Sequence, residues 1–252
     1  RIVSLVPSLT ELLSDLYLDK ETAGITKFCV HPHEWYQSKV RVGGTKNVNI
    51  NKIHDVAPDL IIANKEENVK EQVEELSRFY NVLVTDVHDL ESALICIKEI
   101  GELTGRSEQA IQLAANIKAK FQNLQSHFEK EEKHRAAYLI WQRPYMAAGG
   151  DTFINNMMQY CGIENIFGSL KRYPEISLNE LKEKGCEFLL LSSEPFPFKL
   201  KHAEELKENL SGIQIVLADG EMFSWYGSRL LKAADYFESF HLQLMNMKEH
   251  SE

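Results

Sequence analysis

The chain has 252 residues, 44% of them hydrophobic and 26% charged, with a formal net charge of −9. That length holds one large domain or two small ones, and the composition excludes intrinsic disorder and collagen-like repeats. No apolar run approaches the ~20 residues of a membrane-spanning helix. The acidic balance, with no basic stripe, argues against nucleic acid as a partner.

Residues 2–6 read as a short apolar strand, broken at Pro7. Ser8 and Glu11 have the spacing of a capping box, and Leu9, Leu12, Leu13 and Leu16 recur at helical period, so the chain opens strand, turn, helix. Residues 23–30 fit a second strand, while 31–37 (HPHEWYQ) and Gly43-Gly44-Thr45 read as loops. A short helix over 49–57 must end at Pro58, because the residue before a proline avoids the α region. A buried strand (59–63), a helix (69–80), a strand (82–85) and a helix (89–103) follow.

From Ser107 to about Lys133 the sequence has neither Pro nor Gly, and Ala110, Ile111, Ala114, Ile117, Phe121, Leu124 and Phe128 keep a helical period. At ~1.5 Å per residue this predicts a helix of roughly 40 Å, about twice the average length. Beyond it come a strand (137–141), a helix over 152–161 with Asp151 as its cap and Gly162 as its stop, strands at 188–192 and 213–218, and a last helix over 228–247. Strands alternating with helices imply an α/β architecture with largely parallel sheets.

The second half echoes the first. At one offset of 128 residues, NINKIHDVAPDLIIANKE (49–66) aligns without a gap with SLNELKEKGCEFLLLSSE (177–194). Asn51 meets Asn179, Asp59 meets Glu187 and Glu66 meets Glu194, and both stretches lead to a short strand before an aspartate, Asp86 and Asp219. The expected organisation is two similar α/β lobes with parallel-rich central sheets, 1–104 and 134–252, joined by one long rigid helix within 105–133. Paired lobes make a cleft, a preferred place for a ligand.

Common catalytic signatures are missing: the chain has no GxSxG, GxxxxGK[ST], HExxH or GxGxxG. Its four cysteines, Cys29, Cys96, Cys161 and Cys186, form no CxxC pair and are too sparse for a disulfide scaffold. Cys29, His31, His33 and Glu34 are metal-ligand types close in sequence, but His31 and His33 flank Pro32 in an expected loop, so solvated histidines are the competing reading. Aromatic residues stand at expected loop tips: Trp35 and Tyr36, Trp141 and Tyr145, Tyr173, Phe223 and Trp225. Loops at the carboxyl ends of strands form the ligand crevice of α/β sheets, and aromatic walls suit a large, flat, partly apolar ligand. Arg143, Glu221 and Arg229 are nearby candidates for its polar anchors.

The segments RIVSLVPSLTELL, RVGGTKNVNINKIHDVAPDLIIA, GGDTFINNMMQYCGIENIF, YPEISLNEL and SRLLKAADYF, in this order, resemble the class III periplasmic solute-binding proteins of ABC transporters, the helical-backbone metal receptors. That group includes cobalamin, ferric-siderophore and haem binders, and the resemblance runs over nearly the whole chain. It implies two α/β lobes on one long helix, with little hinge motion and a ligand held between them. In the family's cobalamin binders, aromatic residues line the pocket at segments matching 31–36, 43–45, Trp141, Tyr173 and 221–225. Here Trp141 and Tyr173 keep that character and Glu221 keeps an acid, whereas Thr45 replaces a tryptophan and Trp225 an arginine. The family docks on permease arginines through one exposed acid on each lobe. The first-lobe position falls near Lys70, a reversed charge with Glu67 and Glu71 adjacent, and the second lobe offers Glu204, Glu205 and Glu208.

The resulting expectation is a monomeric, non-catalytic binding protein that delivers a metal chelate, foremost a cobalamin-type corrinoid, to an ABC permease, and needs no cofactor. Ferric siderophore or haem is the alternative cargo, and a metal-dependent enzyme or metallochaperone built on Cys29, His31, His33 and Glu34 the alternative class. No resident metal is expected, His31 and His33 being the nearest candidates. Because the sequence starts at Arg1, compartment stays open. A lipobox or signal peptide upstream would mark a periplasmic or membrane-anchored carrier, and a plain Met start a cytoplasmic sensor.

Overall fold

The computed structural model describes residues 1–128, 131 and 133–249. The chain divides into two compact units. Unit 1 holds Arg1–Val87, Glu91–Asn116 and Tyr226–Arg229, and unit 2 holds His88–Leu90, Ile117–Trp225 and the chain from Leu230 on.

Unit 1 begins with β1 (Ile2–Ser4), α1 (Pro7–Asp15), β2 (Thr22–Ile25), α2 (His33–Ser38) and β3 (Val40–Arg41). It continues through α3 (Ile50–Val56), β4 (Leu60–Asn64), α4 (Lys70–Ser77), β5 (Asn81–Thr85), most of α5 (Leu90–Leu103) and the first part of α6 (Ser107–Phe128). Its strands, among the described residues, form a parallel sheet in the order β3-β2-β1-β4-β5. Val3, Leu5, Ile53, Val56, Ile61, Ala63, Val73 and Leu76 pack together between sheet and helices.

Local chemistry explains most of these boundaries. Asn49 caps α3 by accepting the Lys52 N–H at 3.0 Å, and Ala57 ends the helix in the left-handed region at φ 46 before Pro58. The capping box expected of Ser8 and Glu11 does not form. Pro7 is already helical, a position that suits a residue without an N–H, so Ser8 lies inside the helix, the N-cap is Val6 and no side chain caps it. Residues 33–37, expected as part of a loop, fall in α2, a helix too short for periodicity to reveal. Ser38 Oγ bonds the Glu34 carbonyl across it.

Unit 2 takes the rest of α6, then β6 (His134–Trp141), β7 (Met146–Ala147), α7 (Phe153–Tyr160), β8 (Ile163–Asn165), α8 (Leu178–Glu183) and β9 (Phe188–Ser192). It ends with α9 (Leu200–Lys207), β10 (Gln214–Ala218), α10 (Gly220–Ser224) and α11 (Leu230–Glu249). Its sheet, among the described residues, runs β10-β9-β6-β7, with β8 also on β6, and only β7 is antiparallel. Thr152, not the expected Asp151, caps α7 by accepting the Asn155 N–H. Asp151 instead accepts the backbone N–H of Arg172.

The long helix exists, but α6 covers 22 residues, about 33 Å. Of its expected extension to Lys133, residues 129, 130 and 132 lie outside the described residues, as do 250–252 of the expected second lobe. Glu131 and Lys133 are not helical.

The 128-residue echo is structural: β4 and β9 coincide residue for residue at that offset, and each pairs in parallel with the next long strand. The capping residues Asn49 and Ser177 also coincide, as do Ala57 and Gly185, both with positive φ.

Candidate functional site

In unit 2 the parallel strands β6, β9 and β10 end side by side at Trp141, Ser192 and Ala218. This is the carboxyl edge, where an α/β sheet presents its ligand-binding loops. Trp141 closes β6 with 40% of its surface exposed. Its ring meets Phe196 edge-on at 5.7 Å, and Phe196 packs on Phe198 at 4.7 Å.

Glu194 stands just past β9. Its Oε1 accepts the Ser224 hydroxyl and the Trp225 indole N–H, the latter at 2.8 Å. Burial pushes the Glu194 carboxyl above the usual range, and the charges of Glu221 and Asp219 add to this, against the two donors that pull it down. Asp219 caps α10 by accepting the Glu221 N–H at 3.1 Å. The unit 2 edge therefore joins an exposed indole to a small acidic group, in which Glu194 and Asp219 both accept hydrogen bonds.

The other expected contacts of this unit separate into two kinds. Arg143 is exposed in the turn after β6, at φ 64. Tyr145, half-buried, packs on the apolar core, and Tyr173 and Glu221 are also half-buried. Phe223 is fully enclosed: its ring lies 4.8 Å from Phe237 and 5.0 Å from Tyr138. It is a core residue, not a wall of a ligand site. Trp225, at the end of α10, is buried as well, 6% exposed.

In unit 1, Trp35 and Tyr36 sit on α2, not in a loop. Trp35 is buried under the Lys39 ammonium, 5.0 Å from its ring, and Arg41 covers the Tyr36 ring at 5.1 Å. Thr45, half-buried after β3, offers its carbonyl to Asn68 Nδ2 at 3.0 Å. Asn68 also bonds the Leu5 carbonyl at 3.3 Å and so ties the exits of β1 and β3 together. Arg229, expected as a ligand anchor, is spent inside the protein: its Nε and Nη2 donate to the two oxygens of buried Glu11 at 2.7 and 2.9 Å.

The residues named for a metal are not brought together. The Cys29 thiol is enclosed by the Thr10 and Thr26 hydroxyls at 3.0 and 3.2 Å, and burial pushes it up. His33 Nε2 faces Gln37 at 2.8 Å. Among the described residues no group of three or more His, Cys, Asp or Glu is arranged to hold a metal ion. All four thiols are free and buried, and burial pushes Cys96 up to about 12. Of the acids named for docking, Glu71, Glu204, Glu205 and Glu208 are exposed, while half-buried Glu67 accepts the Tyr226 hydroxyl at 3.0 Å.

Glu194, Phe196 and Asn68 escaped the sequence reading as site residues. For Glu194 the signal was present: it is the repeat partner of Glu66, the first acid beyond the strand.

The family of periplasmic binding proteins matches residues 2–214. The chain belongs to the periplasmic binding protein family. Among curated relatives of this family member, the vitamin B12-binding protein of Pectobacterium atrosepticum is 22% identical over 244 residues, 93% of this chain and 85% of that one. That of Vibrio campbellii is 25% identical over 195 residues, 76% of this chain and 70% of that one. Two solved structures share the fold. The periplasmic vitamin B12-binding protein of Vibrio cholerae has a TM-score of 0.82 at 20% identity, with 97% of each chain covered. The periplasmic haem-binding protein of Roseiflexus sp. RS-1 has 0.84 at 17%, with 97% and 98% covered. No described helix of this periplasmic binding protein is long and apolar enough to cross a membrane.

Proposed function

We propose that this chain is the solute-binding component of an ABC importer and that its cargo is a metal chelate, first of all a cobalamin-type corrinoid. The observation that carries this reading is the exposed Trp141 ring at the carboxyl edge of unit 2, backed by Phe196 and flanked by the acids of the β9 and β10 exits. A broad corrinoid face can lie on the indole while its amide side chains donate to carboxylates. The names of the vitamin B12-binding relatives, one of them matched over 93% of this chain, support that cargo.

In this reading the protein is not an enzyme, acts as a monomer outside the cytoplasm and needs no cofactor of its own. A permease meets it through exposed acids such as Glu71, Glu204, Glu205 and Glu208. Haem or a ferric siderophore is the second reading, favoured by the fold shared with the haem-binding protein of Roseiflexus.

Titration of the protein with cyanocobalamin, followed by absorbance and calorimetry, tests the cargo. Saturable 1:1 binding at micromolar concentration or below is the expected result. No heat and no spectral change would overturn the corrinoid assignment, and haemin and ferric chelates, titrated the same way, then decide the second reading.

A further inference from the structure

His134 opens β6, at the opposite end of that strand from Trp141. Its side chain is buried, and neither ring nitrogen meets a hydrogen-bonding partner among the described residues. Phe188 stands edge-on to the ring at 5.2 Å, and the ring of His241 lies 5.1 Å away.

His241, on α11, is equally buried but fully engaged. Its Nε2 lies 2.6 Å from Glu131 Oε2, its Nδ1 lies 3.1 Å from the Cys161 carbonyl, and Phe128 covers its face at 4.1 Å. Gly162 makes room for it: with φ at 72, a Cβ there would come within 2.6 Å of Nδ1. A carbonyl only accepts, so Nδ1 donates to Cys161, and Nε2 is the atom that faces Glu131.

The other charged groups around the pair are already committed. Lys248 on α11 meets Glu187 Oε1 at 3.0 Å, Glu187 Oε2 accepts the Arg135 N–H at 2.9 Å, and the Arg135 guanidinium meets Glu164 at 2.7 Å.

We infer that the His134–His241 pair is a proton-sensitive clamp on α11. Through His241, α11 is tied to Glu131, just before β6, and to the end of α7. A proton taken by His134 puts a buried charge, with no hydrogen-bonding partner among the described residues, against the His241 ring and loosens the helix.

Burial and the neighbouring His241 both hold His134 below the usual histidine range, outweighing the attraction of Glu187 and Glu131. The sign follows from linkage. An unfolded chain protonates this histidine near pH 6.5 while the folded chain keeps it neutral, so stability falls as pH drops below that value. From pH 7 to pH 5 this one residue raises the unfolding constant by up to about 25-fold.

The test is a pH titration of the intact, histidine-labelled protein by NMR, together with chemical unfolding of wild type and His134→Phe at pH 7 and pH 5. The phenyl ring keeps the packing on Phe188 and removes the proton site. The expected result is that His134 remains neutral at pH 6 and that the variant loses most of the acid-induced rise in its unfolding constant. A His134 signal that titrates as a free imidazole, or an unchanged acid slope in the variant, would overturn the clamp. If the variant does not fold, the wild-type titration alone decides.

Discussion

The indole N–H of Trp225 is tied to Glu194 Oε1 at 2.8 Å, so a carboxylate in the partly buried edge of unit 2 sets the direction of a tryptophan ring. Glu194→Ala leaves that N–H and the Ser224 hydroxyl without their acceptor and is expected to cost about 1–3 kcal/mol. Glu194→Gln keeps an acceptor and removes the charge. Burial raises the Glu194 carboxyl, so its folded-state contribution is greatest when protonated and is lost as pH rises through the folded value. Glu194→Gln should therefore match or exceed wild type at pH 7 and lose that gain near pH 4, around the usual glutamate value of about 4.3. Urea unfolding at the two pH values measures it.

Trp141 and Trp225 should part company on substitution. Trp141 is 40% exposed and Trp225 only 6%. Trp141→Ala is expected to weaken cyanocobalamin binding by about tenfold, or ~1.4 kcal/mol, with Tm nearly unchanged. Trp225→Ala lowers Tm clearly, because it opens a cavity and strands a buried carboxyl partner. Calorimetric titration beside a thermal scan of each variant reads both effects. An unaltered affinity in Trp141→Ala would remove this edge from the binding site.

The Arg229–Glu11 pair is bidentate and buried at both ends, 7% and 8% exposed. Removing one partner leaves the other charged and buried, so Arg229→Met alone should destabilise by about 3–5 kcal/mol, whereas Arg229→Met with Glu11→Leu should recover much of the loss. A double-mutant cycle by denaturant unfolding measures the coupling, and additive effects would show that the pair contributes nothing beyond its packing.

The repeat supplies a backbone test. Ala57 and Gly185 are equivalent and both have positive φ, 46 and 63. Ala57→Gly relieves a strain of about 1–2 kcal/mol, less the entropy glycine gains when unfolded, and is expected to raise Tm slightly. Gly185→Ala should lower it by a comparable amount. Among the described residues only Arg135 Nε, at 3.8 Å, lies near the added Cβ, so the effect comes from the backbone.

The α/β alternation, the two-fold repeat and the long helix were legible because each rests on local pattern: apolar period, proline and glycine stops, and an ungapped echo. The stop of α3 before Pro58 was legible for the same reason, though Asn49 and Ala57, read as helical, prove to be its caps. What failed to show depended on distant partners. Nothing local in SRLLK says that Arg229 meets Glu11, 218 residues away, and nothing in GEMFSWY says that Phe223 turns into the core while Trp225 finds Glu194. Short elements such as α2 and β7 were also hidden, since six or two residues carry no period. At the candidate site the sequence located Trp141 at a strand end and carried a repeat signal at Glu194, but that Glu194 binds the Trp225 indole became visible only when β9 and α10 were placed next to each other.

Membership of residues 226–229 in unit 1 has a practical consequence for anyone who wishes to work with half of this protein. Cutting once, at the middle of α6, yields an N-terminal piece that has lost Tyr226 from Glu67 and the Arg229 guanidinium from Glu11. Such a piece is an incomplete fold, expected to express poorly or to aggregate. Separating the units cleanly requires grafting a four-residue loop onto the shortened chain or supplying it as a peptide.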